Sequence, residues 1–478
     1  MPRYLKNKLP LTIVCLLCRQ VFAYELHIST IEHSVNACYP KVLNAVIQQE
    51  LNQGKVTKNE SPFDLQLNAN SLARQGSTYN TTYQRVAMEK RFYGSPVSAY
   101  AGYDISGGYT PQYDSAQITS TQGREFVGLK MNLLNGFTMD DDRITLYNSI
   151  LDKEKSNYEL ELAKLLVKTE AVKAYMSWII AGAELKSYEK LLKLATDRQQ
   201  ALEKRFKHGD IAEINVKENN NYVLKRKIKV AAAQDYFNKA SQYLSMYYRN
   251  SNCEIMTPGE NLLPEKLPPA QKLPQVPVAQ EINQAVQNRP EFKIIEMQIQ
   301  QINNQQKLAN NYNLPKLNLS VQYNQNNSDQ ATSYYFQLNQ QEGVAKLEFS
   351  MPLDRSYGRG MTQETDANLR KLLNDRKLLL DQLKSQFETL HYSVTATATQ
   401  VDMSKSENQL SQDLLKAEDT RVKNGDSNFF MLNQREENAT NSYLSYINGI
   451  ASNYQALLEY NFLNGKNSTL TKAYPEFR

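Results

Sequence analysis

A chain of 478 residues, 41% hydrophobic and 22% charged, is long enough for more than one structural unit, and its net charge of +5 is small for that length. Loss of residues 1–23 would remove four basic side chains, Arg3, Lys6, Lys8 and Arg19, and no acidic one, leaving about +1. A mature chain so near neutrality, with Lys and Arg spread among Glu and Asp, lacks the clustered positive field that a nucleic-acid partner requires.

The first element is a targeting segment. Arg3, Lys6 and Lys8 precede an apolar run from Leu9 to Cys18, and Val21-Phe22-Ala23 places small residues at the positions a signal peptidase reads, so residues 1–23 are expected to be a cleaved signal peptide. Neither Cys15 nor Cys18 has the small residue before it that lipid anchoring needs. Cleavage leaves Cys38 and Cys253, which in an oxidising compartment either form one disulfide or stay as two buried thiols. A bond between them would close a long loop and restrict the unfolded chain.

A short helix is expected from Pro40 to about Gln53, with Val42, Leu43, Val46 and Ile47 on one face. Three period-two stretches follow, carried by Phe63, Leu65, Leu67 and Ala69, by Val97, Ala99, Ala101, Tyr103 and Ile105, and by Val127, Leu129, Met131 and Leu133. From about Asp141 to Lys207 the period becomes helical, with no proline and only Gly182, a span of about 100 Å. Its most apolar part, Tyr175 to Ala183, is too short to cross a bilayer, and no other segment reaches the ~18 apolar residues that a membrane helix needs. A second helix is expected from about Glu213 to Tyr248, and a proline-rich linker occupies 258–279.

The order then restarts. A helix is expected from about Gln280 to Tyr312, then strands through Leu317, Leu319, Val321 and Tyr323 and through Ala345, Leu347, Phe349 and Met351. Arg205-Phe206-Lys207-His208-Gly209-Asp210 returns as Arg421-Val422-Lys423-Asn424-Gly425-Asp426, 216 positions later, and the strand regions ending at Leu134 and Leu353 recur at nearly the same offset. The mature chain therefore reads as two copies of one unit, 24–257 and 280–465, joined by the linker and followed by a tail at 466–478. The competing explanation is a six-residue coincidence.

Alternating strands can belong to a soluble sheet with one face on a core. Behind a signal peptide and without a membrane helix, a transmembrane barrel accounts for them better, apolar side chains facing lipid and Lys, Glu, Asn and Ser a wet lumen. The 30 tyrosines agree where they fall near strands (Tyr83, Tyr93, Tyr100, Tyr103, Tyr109, Tyr113, Tyr323, Tyr334, Tyr335), since tyrosine suits a lipid boundary. Four to six strands are too few to close a barrel, and an open edge in lipid leaves backbone groups unpaired, so several copies must share one.

Catalysis finds no footing: the histidines are His27, His33, His208 and His391 without metalloprotease spacing, and P-loop, G-x-S-x-G and mature C-x-x-C motifs are lacking. The acidic run Asp140-Asp141-Asp142 reads as a helix start. No catalytic residue, cofactor or metal is expected.

The order helix, strands, very long helix, glycine tip and return helix, given twice, resembles the TolC family of outer-membrane efflux and secretion channels. Local sequence agrees at Asn288-Arg289-Pro290-Glu291, Leu314-Pro315, Met351-Pro352-Leu353 and the two glycine tips. The resemblance covers nearly the whole mature chain, each motif being short. It implies a mainly α fold with a transmembrane β part, in which a homotrimer combines an α-helical barrel with one shared barrel in outer-membrane lipid. It also implies two partners, a periplasmic membrane-fusion adaptor and an inner-membrane pump of the RND or ABC type, for which the channel is a passive exit duct in efflux or type I secretion.

By position, Arg205, Lys207, Gly209, Asp210, Arg421, Lys423, Gly425 and Asp426 fall at the periplasmic tips that would meet the adaptor, unless they only turn the chain. Where some members of the family carry a ring of aspartates, this chain has Met431 and Gln434, with Asp426 and Glu436 as conceivable acidic substitutes. A strand-like hairpin around 83–110 is extra in the first unit and either enlarges the barrel or sits outside it. The alternative is a periplasmic coiled-coil scaffold with a soluble sheet.

Overall fold

The structure, a computed structural model, describes residues 25–77, 80–109, 117–264, 270–273, 277–332 and 340–465. The expected signal peptide, the C-terminal tail, and Tyr113, Tyr334 and Tyr335 lie outside the described residues. Helices α1 (Ile28–Cys38) and α2 (Pro40–Glu60) lead into strands β1 (Gln66–Gln75), β2 (Asn80–Arg91), β3 (Val97–Tyr109) and β4 (Arg124–Asn132). A 67-residue α3 (Asp141–Lys207) and a 33-residue α4 (Glu213–Ser245) then form a hairpin. Helices α5 (Val278–Asn288) and α6 (Pro290–Tyr312) precede strands β5 (Lys316–Asn326) and β6 (Gln341–Ser350), and a second hairpin follows, 68-residue α7 (Ser356–Lys423) and 35-residue α8 (Phe429–Leu463).

The long helices end where their sequences say they should. Asp140 caps α3 by accepting the Arg143 backbone N–H at 2.9 Å. Asp141 and Asp142 lie at its positive end, and Lys204, Arg205 and Lys207 lie at its negative end. Proline corrects one expected span and confirms the start of another. The helix expected from 280 to 312 is split, because Pro290 offers no N–H and holds Arg289 extended (ψ 131°). Pro40 likewise divides α1 from α2, with Tyr39 extended (ψ 126°). Helix α1 was not expected, and α2 runs seven residues past Gln53 to Glu60. Phe63 sits in a 3-10 turn, outside β1.

The six strands form one antiparallel sheet in the order β1-β2-β3-β4-β5-β6. The hairpin around 83–110 belongs to this sheet, with β2 and β3 as interior strands. All strand–helix joins, after α2, before α3, after α6 and before α7, fall at one end of the sheet, here the proximal end. The connections β1–β2, β3–β4 and β5–β6 fall at the other, distal end.

Helices α1, α3, α4 and α8 share the main core, in which Ile31, Val35, Tyr175, Trp178, Ile179, Leu185, Phe237, Leu244 and Tyr454 are buried. Each such side chain contributes about 1.5–3 kcal/mol through burial. The apolar stretch around Tyr175 to Ala183 thus belongs to this core. A second cluster joins Phe292, Phe387, Leu457 and Tyr460 on α6, α7 and α8. The linker packs closely: Leu263 lies in the main core against Gly182, where a Cβ would collide with it. Leu26 donates its N–H to the Leu262 carbonyl at 2.9 Å.

Candidate functional site: hairpin tips, the inter-hairpin cluster and the polar face of the sheet

The two tips are built alike. In the first, the Gly209 N–H reaches the Phe206 carbonyl at 2.9 Å and the Asp210 N–H reaches the Arg205 carbonyl at 2.9 Å. In the second, Gly425 reaches Val422 at 3.2 Å and Asp426 reaches Arg421 at 2.8 Å. Both are Schellman turns, which require a left-handed residue just past the helix. Gly209 (φ +81°) and Gly425 (φ +83°) fill that place with open space around them, so backbone conformation, not crowding, demands glycine. Arg205, Lys207, Asp210, Arg421, Lys423 and Asp426 are all exposed, as are Phe206 and Phe430. Lys423 pairs with Asp419 at 2.6 Å. The Arg421 guanidinium donates to the Asp426 carbonyl at 3.2 Å.

Beyond the second tip, Met431 and Gln434 are exposed on α8, whose N-cap, Asn428, accepts the Met431 N–H at 3.0 Å. Glu436 is buried between two arginines. Arg198 of α3 donates to Glu436 Oε1 at 2.5 Å, and Arg226 of α4 donates to Oε2 at 2.8 Å. Both guanidinium groups also reach Asn433 Oδ1, and Arg226 donates to the Leu191 carbonyl at 2.8 Å. Beside them, Lys229 bonds Glu437 at 2.7 Å and holds that carboxyl below the usual range. This cluster joins the first hairpin to the second. Sequence reasoning missed it because its members come from three helices.

At the root of the first hairpin, Cys38 and Cys253 form a disulfide across 215 positions, their Cα atoms 5.1 Å apart. It links the end of α1 to the segment after α4.

The sheet has two unlike faces. Leu67, Met88, Leu129, Val321, Leu347 and Phe349 share one, and all are exposed, Leu347 at 64% and Phe349 at 67%. The other face is polar, partly covered on β2 to β5 and open on β1 and β6. There Arg124 of β4 grips Asp104 of β3 with two hydrogen bonds of 2.9 Å, and Tyr83 of β2 donates to the same carboxylate at 2.9 Å. Arg85 stands 3.9 Å from Asp104, and Arg124 lies 4.0 Å from Glu342 of β6, which accepts from Asn324 at 2.7 Å. Asp104 has no exposed surface. Burial of Asp104 and Arg124 requires the partners they have.

No helix among the described residues is long and apolar enough to cross a membrane, and no cluster of metal-ligating side chains occurs among them. No family model matches the sequence, and no curated protein matches it significantly. Solved structures do match it along most of its length. The fold is that of the outer-membrane channels of the TolC type. The CmeC outer membrane channel of Campylobacter jejuni aligns with a TM-score of 0.64 at 12% identity, over 94% of this chain and 89% of that one. The open-state MtrE outer membrane channel of Neisseria gonorrhoeae gives 0.64 at 12% identity over 97% of each chain. The outer membrane protein VceC of Vibrio cholerae gives 0.63 at 13% identity, over 92% of this chain and 96% of that one.

Proposed function

We propose that this protein is an outer-membrane channel, a passive exit duct that carries substrates from an inner-membrane pump of the RND or ABC type across the periplasm and outer membrane. The observation that carries the reading is the sheet: six strands with an exposed apolar face and a polar face whose charges are paired on the middle strands, with every helix joined at one end. Water penalises so much exposed Leu, Val and Phe, whereas lipid does not. Strands of 9–13 residues match the 9–11 that a tilted strand needs to span a bilayer core. In sequence order β1 and β6 are the sheet edges, and unpaired edges are excluded from lipid, so each must meet another copy.

The resemblance to TolC channels supports three copies. Three six-stranded sheets would close an 18-stranded barrel, within the size range that leaves an aqueous lumen. Helix α3, at 67 residues, gives about 100 Å of periplasmic reach, and the exposed tips around Gly209 and Gly425 are the surfaces offered to a membrane-fusion adaptor. We read 24–257 and 280–465 as two copies of one unit on the strength of the recurring element order and the paired Schellman turns.

Fractionation with electrophoresis of heated and unheated detergent extracts tests the reading. An outer-membrane trimer released only by detergent is the expected result. A soluble periplasmic monomer would remove the channel and leave the coiled-coil scaffold.

A further inference from the structure

The two sulfurs of the Cys38–Cys253 bond sit in unlike places. Cys38 is the last residue of α1 and only 7% exposed, on a helix whose Ile31 and Val35 are sealed in the main core. Cys253 is exposed, and so are Asn252, Glu254, Ile255 and Met256 around it. Thiol–disulfide exchange requires direct contact of sulfur with sulfur, so access decides which of two cysteines a partner reaches first.

The turn that carries Cys253 is built from its own residues. The Asn250 N–H reaches the Glu254 carbonyl at 3.0 Å, the Cys253 N–H reaches the Asn250 carbonyl at 3.0 Å, and the Met256 N–H reaches the Tyr248 carbonyl at 2.9 Å. Asn250 Oδ1 accepts the N–H groups of Asn252 at 2.9 Å and Glu254 at 3.0 Å, and the Arg249 guanidinium donates to the Cys253 carbonyl at 3.0 Å. All of these bonds lie within residues 248–256, so they hold the turn whether or not the sulfurs are joined. They keep Cys253 at φ +64°, a conformation uncommon for a residue with a side chain. The seat of α1 is likewise non-covalent. The Ser34 hydroxyl donates to the Tyr247 carbonyl at 2.9 Å and accepts the Arg249 N–H at 2.8 Å, and Tyr39 stacks on Tyr247 with 5.4 Å between ring centres.

We propose that Cys253 is the site at which a thiol oxidoreductase in its disulfide form enters this protein, with α1 already seated and Cys38 as the resolving thiol. The Cys253 thiolate attacks one sulfur of the partner's disulfide; that bond breaks, the partner's other sulfur leaves as a thiolate, and a mixed disulfide joins the two proteins. Cys38 then gives its proton to water and attacks Cys253 Sγ, the two Cα atoms being 5.1 Å apart. The mixed bond breaks, the Cys38–Cys253 bond forms, and the partner departs reduced by two electrons. This order is the reverse of synthesis, in which Cys38 precedes Cys253 by 215 positions and is the first thiol an unfolded chain presents. The inference rests on the channel reading only for the oxidising compartment that reading implies.

The test uses the purified full chain in detergent, with Cys15→Ser and Cys18→Ser throughout so that no other thiol is present. Cys38→Ala leaves Cys253 alone, and Cys253→Ala leaves Cys38 alone. The probe is a thioredoxin-fold protein whose one remaining active-site cysteine carries a nitrothiobenzoate group; attack by a thiolate releases the coloured thiol and links the two proteins. Native Cys38→Ala is expected to react at least tenfold faster than native Cys253→Ala, and the two should react at similar rates in denaturant. Equal native rates, or a difference that persists in denaturant, overturn the proposal. If either variant fails to fold, reduced protein with both cysteines is given a brief pulse of oxidised glutathione, then quenched in acid and mapped by peptide. Glutathione on Cys253 supports the proposal, and glutathione first on Cys38 overturns it. Both thiols found free in protein taken directly from cells would remove the oxidising compartment, and with it the channel reading as well.

Discussion

At the scale of single residues, the glycines and acids near the tips do separable work. Gly425→Ala keeps the volume nearly unchanged but puts a side chain at φ +83°, which costs about 1–2 kcal/mol. Hydrogen exchange should show faster opening of the last turn of α7 and the first of α8, with the core unaffected. Glu436→Gln leaves Arg198 and Arg226 facing a neutral amide in a buried place, and a loss of about 3–5 kcal/mol is expected. Thermal unfolding of the purified protein would report it, and an unchanged midpoint would mean that water reaches the arginines. Glu437 is half exposed and behaves differently. Lys229 depresses its folded pKa, so its contribution is complete above the ordinary glutamate range, about pH 4.3, and fades as pH falls through the lower folded value. Exchange protection along the α4–α8 contact should therefore drop on acidification in the native protein and stay flatter in Lys229→Met.

Among elements, the disulfide carries the largest single expectation. Closing a loop of 215 residues restricts the unfolded chain by about 5 kcal/mol in the loop-entropy account. Reduction, or Cys38→Ala with Cys253→Ala, should lower the thermal midpoint without shifting the register of α1 on α3, and a midpoint unmoved by reductant would show that the packing around Ile31 and Val35 suffices alone. The sequence was most readable where periodicity was long. The bounds of α3 emerged at Asp141 and Lys207 because an acidic start, a basic finish and a proline-free interior all agree. Alternation also placed Leu129, Val321 and Leu347 on one face of their strands. Helix α1 escaped because it begins just after the stretch read as a signal peptide and no side chain caps its start. The Arg198–Glu436–Arg226 cluster left no trace, since its members belong to segments far apart in the chain and obey no period. The disulfide stood as one of two alternatives, and only the approach of α1 to the end of α4 distinguishes them.

For the whole molecule, the open edges of the sheet make the sharpest claim. A cysteine in β1, Asn70→Cys, combined with a scan along β6 from Val344→Cys to Glu348→Cys, should yield covalent oligomers at one register and none at its neighbours. Cross-links confined within one chain would mean that β1 and β6 meet each other and that a single subunit closes its own barrel.

The position of β4 beside β5 also governs the timetable of folding. The β1–β2, β2–β3 and β5–β6 ladders join neighbours in sequence and can form within microseconds once their strands are extended. The β4–β5 ladder instead pairs Val127 with Tyr323, so α3, α4, α5 and α6 must all be synthesised and brought together before it can zip. Two half-sheets would wait as separate amphipathic pieces, held in reach of one another by a helical body that already has its own core. Insertion into lipid then becomes the last event, triggered when the helices have aligned the halves. A slow phase in refolding should accordingly follow helix formation and vanish if the two halves are supplied already paired.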